Sequence, residues 1–165
     1  TENKRLWVVT GLTDVPLNDK GMAQAWAAAV RLAESGIDAI WSSPLARARA
    51  TAACVGAALD LPVRIVPQLA ERNWGSLEGT PRVLRVPGVT PPGGESAEDF
   101  QDRALSGLRA ILPSRLPLVV AHSGIFRVLS AWLGIEPRST PIDNCVPLRF
   151  EPQADGWRVR PVEPN

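Results

Sequence analysis

Among the residues able to do chemistry in this chain, the sharpest cluster is His122-Ser123-Gly124. His122 is the only histidine in 165 residues, and it directly follows the apolar run Leu118-Val119-Val120-Ala121. A helical pattern begins just after it, so the imidazole points at a helix N-terminus whose free backbone amides favour an anion. That placement favours an anion pocket over a purely structural histidine. Arg47 opens another helical stretch four residues after Ser43. A cation in a first helical turn is unfavourable unless an anion or carboxylate offsets it. Arg49 sits there too, but residues two apart cannot share a helix face, so at most one of the pair faces a crevice. Glu71, in Leu-Ala-Glu-Arg-Asn-Trp-Gly, is a loop acid that could protonate a leaving oxygen. Glu95, in Pro-Pro-Gly-Gly-Glu-Ser, reads the same way, or as an acidic neighbour of a Ser96 helix cap.

The elements that must position these groups alternate along the chain. Leu6-Trp7-Val8-Val9, Ile37 to Trp41, Val63 to Val66 and Leu118 to Ala121 are short apolar runs, as expected for strands covered on both faces. Asn18 caps a helix through Glu34, with Gly36 just past its end and Ala25, Ala28, Ala29 and Leu32 on its buried side. Further helices run from Arg47 to Leu59, from a Ser96/Asp99 capping box to Leu112, and from Gly124 to Leu133. Glu71 to Pro92, rich in glycine and proline, is irregular. Val146 to Glu151 and Trp157 to Val162 alternate as an edge hairpin. Strands alternating with helices predict a three-layer α/β/α domain over residues 1–165, with a mainly parallel sheet. Ligands of such sheets sit at the carboxyl ends of the strands, where Thr10 to Asp14, Ser42 to Arg47 and His122 to Gly124 fall.

Composition narrows the function classes. A net charge of +1 excludes long-range steering to nucleic acid or an anionic membrane, so any anion site is local. No apolar run reaches membrane-span length, and the first residues lack a signal-peptide core. Cys54 and Cys145 read as reduced, buried thiols of a cytoplasmic protein. One histidine and two distant cysteines do not make a typical transition-metal site, and no cofactor is expected. Six tryptophans are expected in the core, although those beside loops could serve a homodimer interface.

Residues 11–25, 42–48, 69–79, 92–96 and 119–124, taken in order, are similar to the histidine phosphatase superfamily, in its phosphoglycerate-mutase-like branch. The segments are Gly-Leu-Thr-Asp-Val-Pro-Leu-Asn-Asp-Lys-Gly-Met-Ala-Gln-Ala, Ser-Ser-Pro-Leu-Ala-Arg-Ala, Leu-Ala-Glu-Arg-Asn-Trp-Gly-Ser-Leu-Glu-Gly, Pro-Gly-Gly-Glu-Ser and Val-Val-Ala-His-Ser-Gly. The resemblance implies phosphoryl transfer through a phosphohistidine. In it His122 is the second histidine, Arg47 the phosphate-binding arginine, Glu71 the proton donor, and Ser123 and Gly124 further phosphate contacts. The ligand it implies is a small phosphorylated molecule or inorganic phosphate. It also implies an Arg-His-Gly nucleophile motif after the first strand, where this chain reads Val9-Thr10-Gly11-Leu12-Thr13-Asp14.

Three readings follow. The chain is a histidine-phosphatase-fold protein with a residual phosphate pocket and little or no activity. Alternatively, it is an active phosphatase or mutase whose Arg-His-Gly segment is missing here. A nucleotide-binding α/β domain is the third, and the lack of a Gly-rich loop after the first strand argues against it.

Overall fold

The computed structural model describes residues 1, 7–111, 113–136 and 143–163. The alternating pattern folds as α1 (Asp19–Leu32), β1 (Ala39–Ser42), α2 (Ala46–Leu59), β2 (Val63–Ile65), α3 (Ala97–Ala110), β3 (Pro117–Val120), α4 (Ser123–Trp132), β4 (Leu148–Gln153) and β5 (Gly156–Pro161). The expected caps close two helices. Asn18 Oδ1 accepts from the Gly21 amide at 3.0 Å, and Ser96 Oγ accepts from the Asp99 amide at 2.9 Å. Each satisfies an amide that the helix itself cannot.

β1 lies between β2 and β3 and pairs with both in parallel. Side chains alternate across this sheet and divide the core. Ile40, Leu118 and Val120 pack with Ala25, Ala29, Leu32, Ala52 and Val55 of α1 and α2. Trp41, Val119 and Ala121 pack instead with Phe100, Ala104 and Leu108 of α3 and Ile125 of α4. Helices on both faces and parallel strands between them are the architecture that the sequence pattern predicts. β4 and β5 form an antiparallel hairpin that is a sheet of its own, joined by Glu151 across the ladder to Arg158 and Arg160.

Three expectations are corrected. Of Leu6–Val9, Leu6 lies outside the described residues, and Trp7–Val9 do not join the parallel sheet. Val8 instead bridges Pro81 antiparallel, Val9 donates to the Thr80 carbonyl at 2.8 Å, and its own carbonyl accepts from Gly79 at 2.9 Å. Val9 is buried while Trp7 is 73% exposed. The second edge of β3 therefore has no strand partner among the described residues, and its four residues are only half-buried. The tryptophans are not core residues either: Trp7, Trp26, Trp132 and Trp157 are exposed, and Trp41 and Trp74 are half-buried. Cys54 is buried as expected, but Cys145 is only partly so.

Candidate functional site

The carboxyl ends of β1 and β3 bring Ser43 and His122 side by side. Ser43 is completely buried, its amide donating to the Val120 carbonyl at 3.0 Å, and its Oγ lies 2.7 Å from His122 Nε2. Ser43 Oγ also accepts weakly from the Leu45 amide at 3.3 Å. A Ser43 hydroxyl that donates to Nε2 leaves the imidazole proton on Nδ1, whereas the other tautomer reverses the bond. Burial, and then the charges of Arg47 and Arg103, push the His122 pKa down to about 3. The ring is therefore a neutral hydrogen-bond donor over the physiological range.

Arg47 enters from the first turn of α2, and the exposed Arg49 turns away, as helical spacing requires. Its guanidinium donates to the carbonyls of Thr13 at 2.9 Å and Gly11 at 2.8 Å. Burial lowers its hold on the proton, while Glu71, Asp14 and Glu78 pull the other way. Asp14 also supplies the cap that Leu45 lacks, accepting from the Ala46 amide at 2.6 Å. The offset expected for a cation in this turn thus comes from internal carboxylates.

Glu71, only 8% exposed, reaches the N-terminus of α4. Its Oε2 accepts from the Gly124 amide at 3.0 Å and its Oε1 from the Arg72 amide at 2.9 Å. The approach needs glycine: a Cβ on Gly124 would lie 2.1 Å from Glu71 Oε1 and 2.8 Å from Phe100 Cζ. The anion position at this helix end is thus filled by the protein's own carboxylate. Ser123, beside it, is exposed. Glu95 is no free loop acid. It holds Arg103 through bonds of 2.7 and 2.8 Å, and Arg103 in turn binds the carbonyls of Gln68, Ala70 and Glu71. That clamp fixes the loop that carries Glu71.

Two residues were missed by sequence reasoning. Glu78 accepts from the amides of Gly11 at 3.1 Å, Leu12 at 2.9 Å and Thr13 at 2.9 Å, from the Thr13 hydroxyl, and from the Trp74 amide at 3.1 Å. Three consecutive amides turned toward one point make an anion nest, and Glu78 occupies it. Burial opposes its charge, but the Thr13 hydroxyl and the Thr13, Trp74 and Leu12 amides outweigh burial and hold its carboxyl below the usual range. The other is Thr10, whose buried Oγ1 has no hydrogen-bond partner. A local signal for Glu78 existed in Trp-Gly-Ser-Leu-Glu-Gly, but its partners lie more than 60 residues away.

Thr10, Arg47, Glu71, His122 and Ser123 line one cavity of about 1620 Å³, which continues along all four residues of β3. A hydroxyl without a partner, a neutral imidazole and a guanidinium are groups that can hold a phosphoryl oxygen. No described helix is long and apolar enough to cross a membrane.

The model of the histidine phosphatase superfamily (branch 1) matches residues 1–163. The chain is 32% identical over 164 residues to the uncharacterized phosphatase PhoE of Bacillus subtilis, covering 94% of this chain and 85% of that one. It is 32% identical over 176 residues to a 2,3-bisphosphoglycerate-dependent phosphoglycerate mutase 2 of Gloeobacter violaceus, covering 89% and 79%. Among solved structures, a mycobacterial glucosyl-3-phosphoglycerate phosphatase in complex with VO3 superposes with a TM-score of 0.81 at 26% identity, covering 98% of this chain and 92% of that one. A match across nearly the whole chain places it in a family: the chain belongs to branch 1 of the histidine phosphatase superfamily.

Proposed function

We propose that this chain binds the phosphoryl group of a small phosphorylated molecule at His122 and Arg47 but does not turn it over through a phosphohistidine. The observation that carries this reading is the tie between the chain's single imidazole and the buried Ser43 hydroxyl, at 2.7 Å. Covalent phosphoryl transfer needs a nucleophile with a free lone pair in line with the leaving oxygen. In this reading Nε2 accepts from the Ser43 hydroxyl and Nδ1 carries the proton. His122 is left as a donor to a phosphoryl oxygen, with Arg47 supplying charge and Ser123 a further contact; the Gly124 amide, expected to join them, is already taken by Glu71. Glu71, which the family resemblance makes the proton donor, has both oxygens on backbone amides. A cytoplasmic location fits a chain with two cysteines, too few for a disulfide framework.

A second reading is favoured by the open edge of β3 and the cavity of about 1620 Å³ beside it. A further strand would lie about 4.8 Å from β3. A segment bearing Arg-His-Gly and entering there would set a nucleophile beside His122, making the chain an active phosphomonoester phosphatase or mutase. This reading requires residues that the chain lacks.

The phosphate pocket is tested by titrating inorganic phosphate and vanadate while following the His122 imidazole by NMR. A saturable shift, weakened at least tenfold in Arg47→Gln, is expected. No shift up to millimolar anion removes the pocket.

A further inference from the structure

β3 runs between two helical layers, yet only one of its edges is paired. β1 lies along one side in parallel, and no described strand lies along the other. Leu118 and Val120 pack toward α1 and α2, Val119 and Ala121 toward α3 and α4, but all four stay half-buried. The cavity of about 1620 Å³ follows these residues, and Leu148, Phe150 and Val162 line it from the side of the hairpin. Phe126 of α4 meets Phe150 with ring centroids 5.8 Å apart. Pockets for small molecules measure about 300–1,000 Å³, so this cavity has room for a length of chain. One of its walls is a strand edge, with unpaired backbone N–H and C=O groups between apolar side chains of both layers. A hydrocarbon tail matches the side chains and leaves the backbone groups without partners, whereas an extended peptide matches both.

Arg47 and His122 line the same cavity, His122 just past the carboxyl end of β3, and arginines outnumber acidic side chains six to three along the described lining. Arg47 uses two of its donors on the Thr13 and Gly11 carbonyls. A guanidinium carries five, so it keeps donors for a further oxyanion. We propose that this slot takes the apolar carboxyl-terminal segment of another polypeptide, extended parallel to β3, with its terminal carboxylate at Arg47 and His122. β1, β2 and β3 all run the same way, so a strand added in parallel ends where they end. An antiparallel segment would set its first residues, and any free ammonium, against the guanidinium. Both faces of the slot are apolar, so the segment is a continuous run of Val, Ile or Leu rather than an alternating one. The carboxylate end rests on the reading of His122 and Arg47 as an anion pocket; the strand pairing does not.

The probe is acetyl-Lys-Gly-Val-Ile-Val-Val with fluorescein on its lysine and a free terminal carboxylate. It is titrated with the full chain and followed by fluorescence anisotropy, with hydrogen exchange of β3 as a second readout. Expected are saturable binding and slower exchange of the Leu118 to Val120 amides in the complex. Replacing the terminal carboxylate by an amide should weaken binding roughly tenfold, through loss of a charge-assisted contact. In Arg47→Gln the acid and the amide should bind alike. Proline in place of the Ile removes a ladder donor and should weaken binding by roughly tenfold or more. The altered peptides are compared on the wild type, so the outcome does not depend on how a variant folds. No binding of the acid peptide, while phosphate still shifts the His122 imidazole, overturns the proposal and leaves the anion pocket standing. Acid preference without any phosphate response supports the peptide site and removes phosphate as its ligand. Equal affinity for acid and amide in the wild type overturns the proposal. So does decanoate competing as tightly as the peptide, since it has the carboxylate and an apolar chain but no amides. A chain that sediments as a dimer and excludes the peptide overturns it as well, and assigns the slot to a second copy.

Discussion

Around Gly11–Thr13 the polar groups answer one another, whereas around Trp74 three arginines, Arg72, Arg82 and Arg85, share a loop and enter no ion pair of the described residues. In the first region Glu78 fills the amide nest, Arg47 is bound by two carbonyls, and Asp14 and Glu71 close the N-termini of α2 and α4. In the second, Arg72 and Arg85 flank an indole, and Arg85 keeps an unpartnered Nε. The difference teaches that a motif for anion binding is not a free anion site. Glu78 and Glu71 have taken the backbone amides of the nest and of the α4 N-terminus, so the phosphoryl contacts we propose fall to the side chains of His122 and Arg47.

Acid sets the two regions apart most strongly. His122 in the folded chain has a pKa near 3, against about 6.5 in an unfolded one. A base whose folded pKa is depressed contributes stability above its unfolded pKa and loses it as the pH falls toward the folded value. Between pH 7 and pH 4.5 the loss through this one residue is on the order of 2 kcal/mol. Denaturant melts at both pH values should show that difference in the wild type and not in His122→Asn. The arginine cluster stays charged throughout and adds nothing to it.

Next comes Glu78→Ala, which leaves the amides of Gly11, Leu12 and Thr13 without their acceptor. The expected cost is about 1–3 kcal/mol, read from the denaturation midpoint. The empty nest should then gain affinity for inorganic phosphate, seen as a phosphate-dependent rise in melting temperature that the wild type shows more weakly. Equal phosphate response in both chains would mean that Glu78 does not block the nest. Gly124→Ala drives a methyl group into Glu71 and Phe100 and is expected to cost about 1–3 kcal/mol. The smallest effect belongs to Arg85→Gln. Removing one of several mutually repelling cations should leave stability within about 0.5 kcal/mol, read from the denaturation midpoint. A large destabilisation would show that the stacking of Arg85 on Trp74 holds the loop together.

The elements with local signals were readable from the sequence. Asn18 and Ser96 cap the helices that their own periodicity announces, and the core alanines of α1 follow from a helical spacing. That His122 and Arg47 lie on one cavity was readable because strand ends and helix starts fix where a side chain must point, whereas Glu71 was a loop acid singled out chiefly by the family resemblance. Partners far along the chain were not readable. Val8-Val9 is apolar enough for a central strand, yet its backbone pairs with Gly79–Pro81, a choice that no short-range pattern records. Glu78 looks like a loop glutamate until Gly11–Thr13 is folded against it. The tryptophans mislead for another reason: apolar area argues for burial, but Trp26 and Trp132 lie on helices whose inner faces are already filled by smaller residues.

The central claim is that His122 holds a phosphoryl group but does not accept one. It is tested most directly by mixing the full chain with an aryl phosphate at pH 6 to 7, quenching in base, and measuring intact mass alongside product release. The account predicts no added phosphoryl mass and a release rate indistinguishable from that of His122→Ala. Turnover lost in His122→Ala, together with a base-stable phosphoryl group mapped to His122, would contradict it.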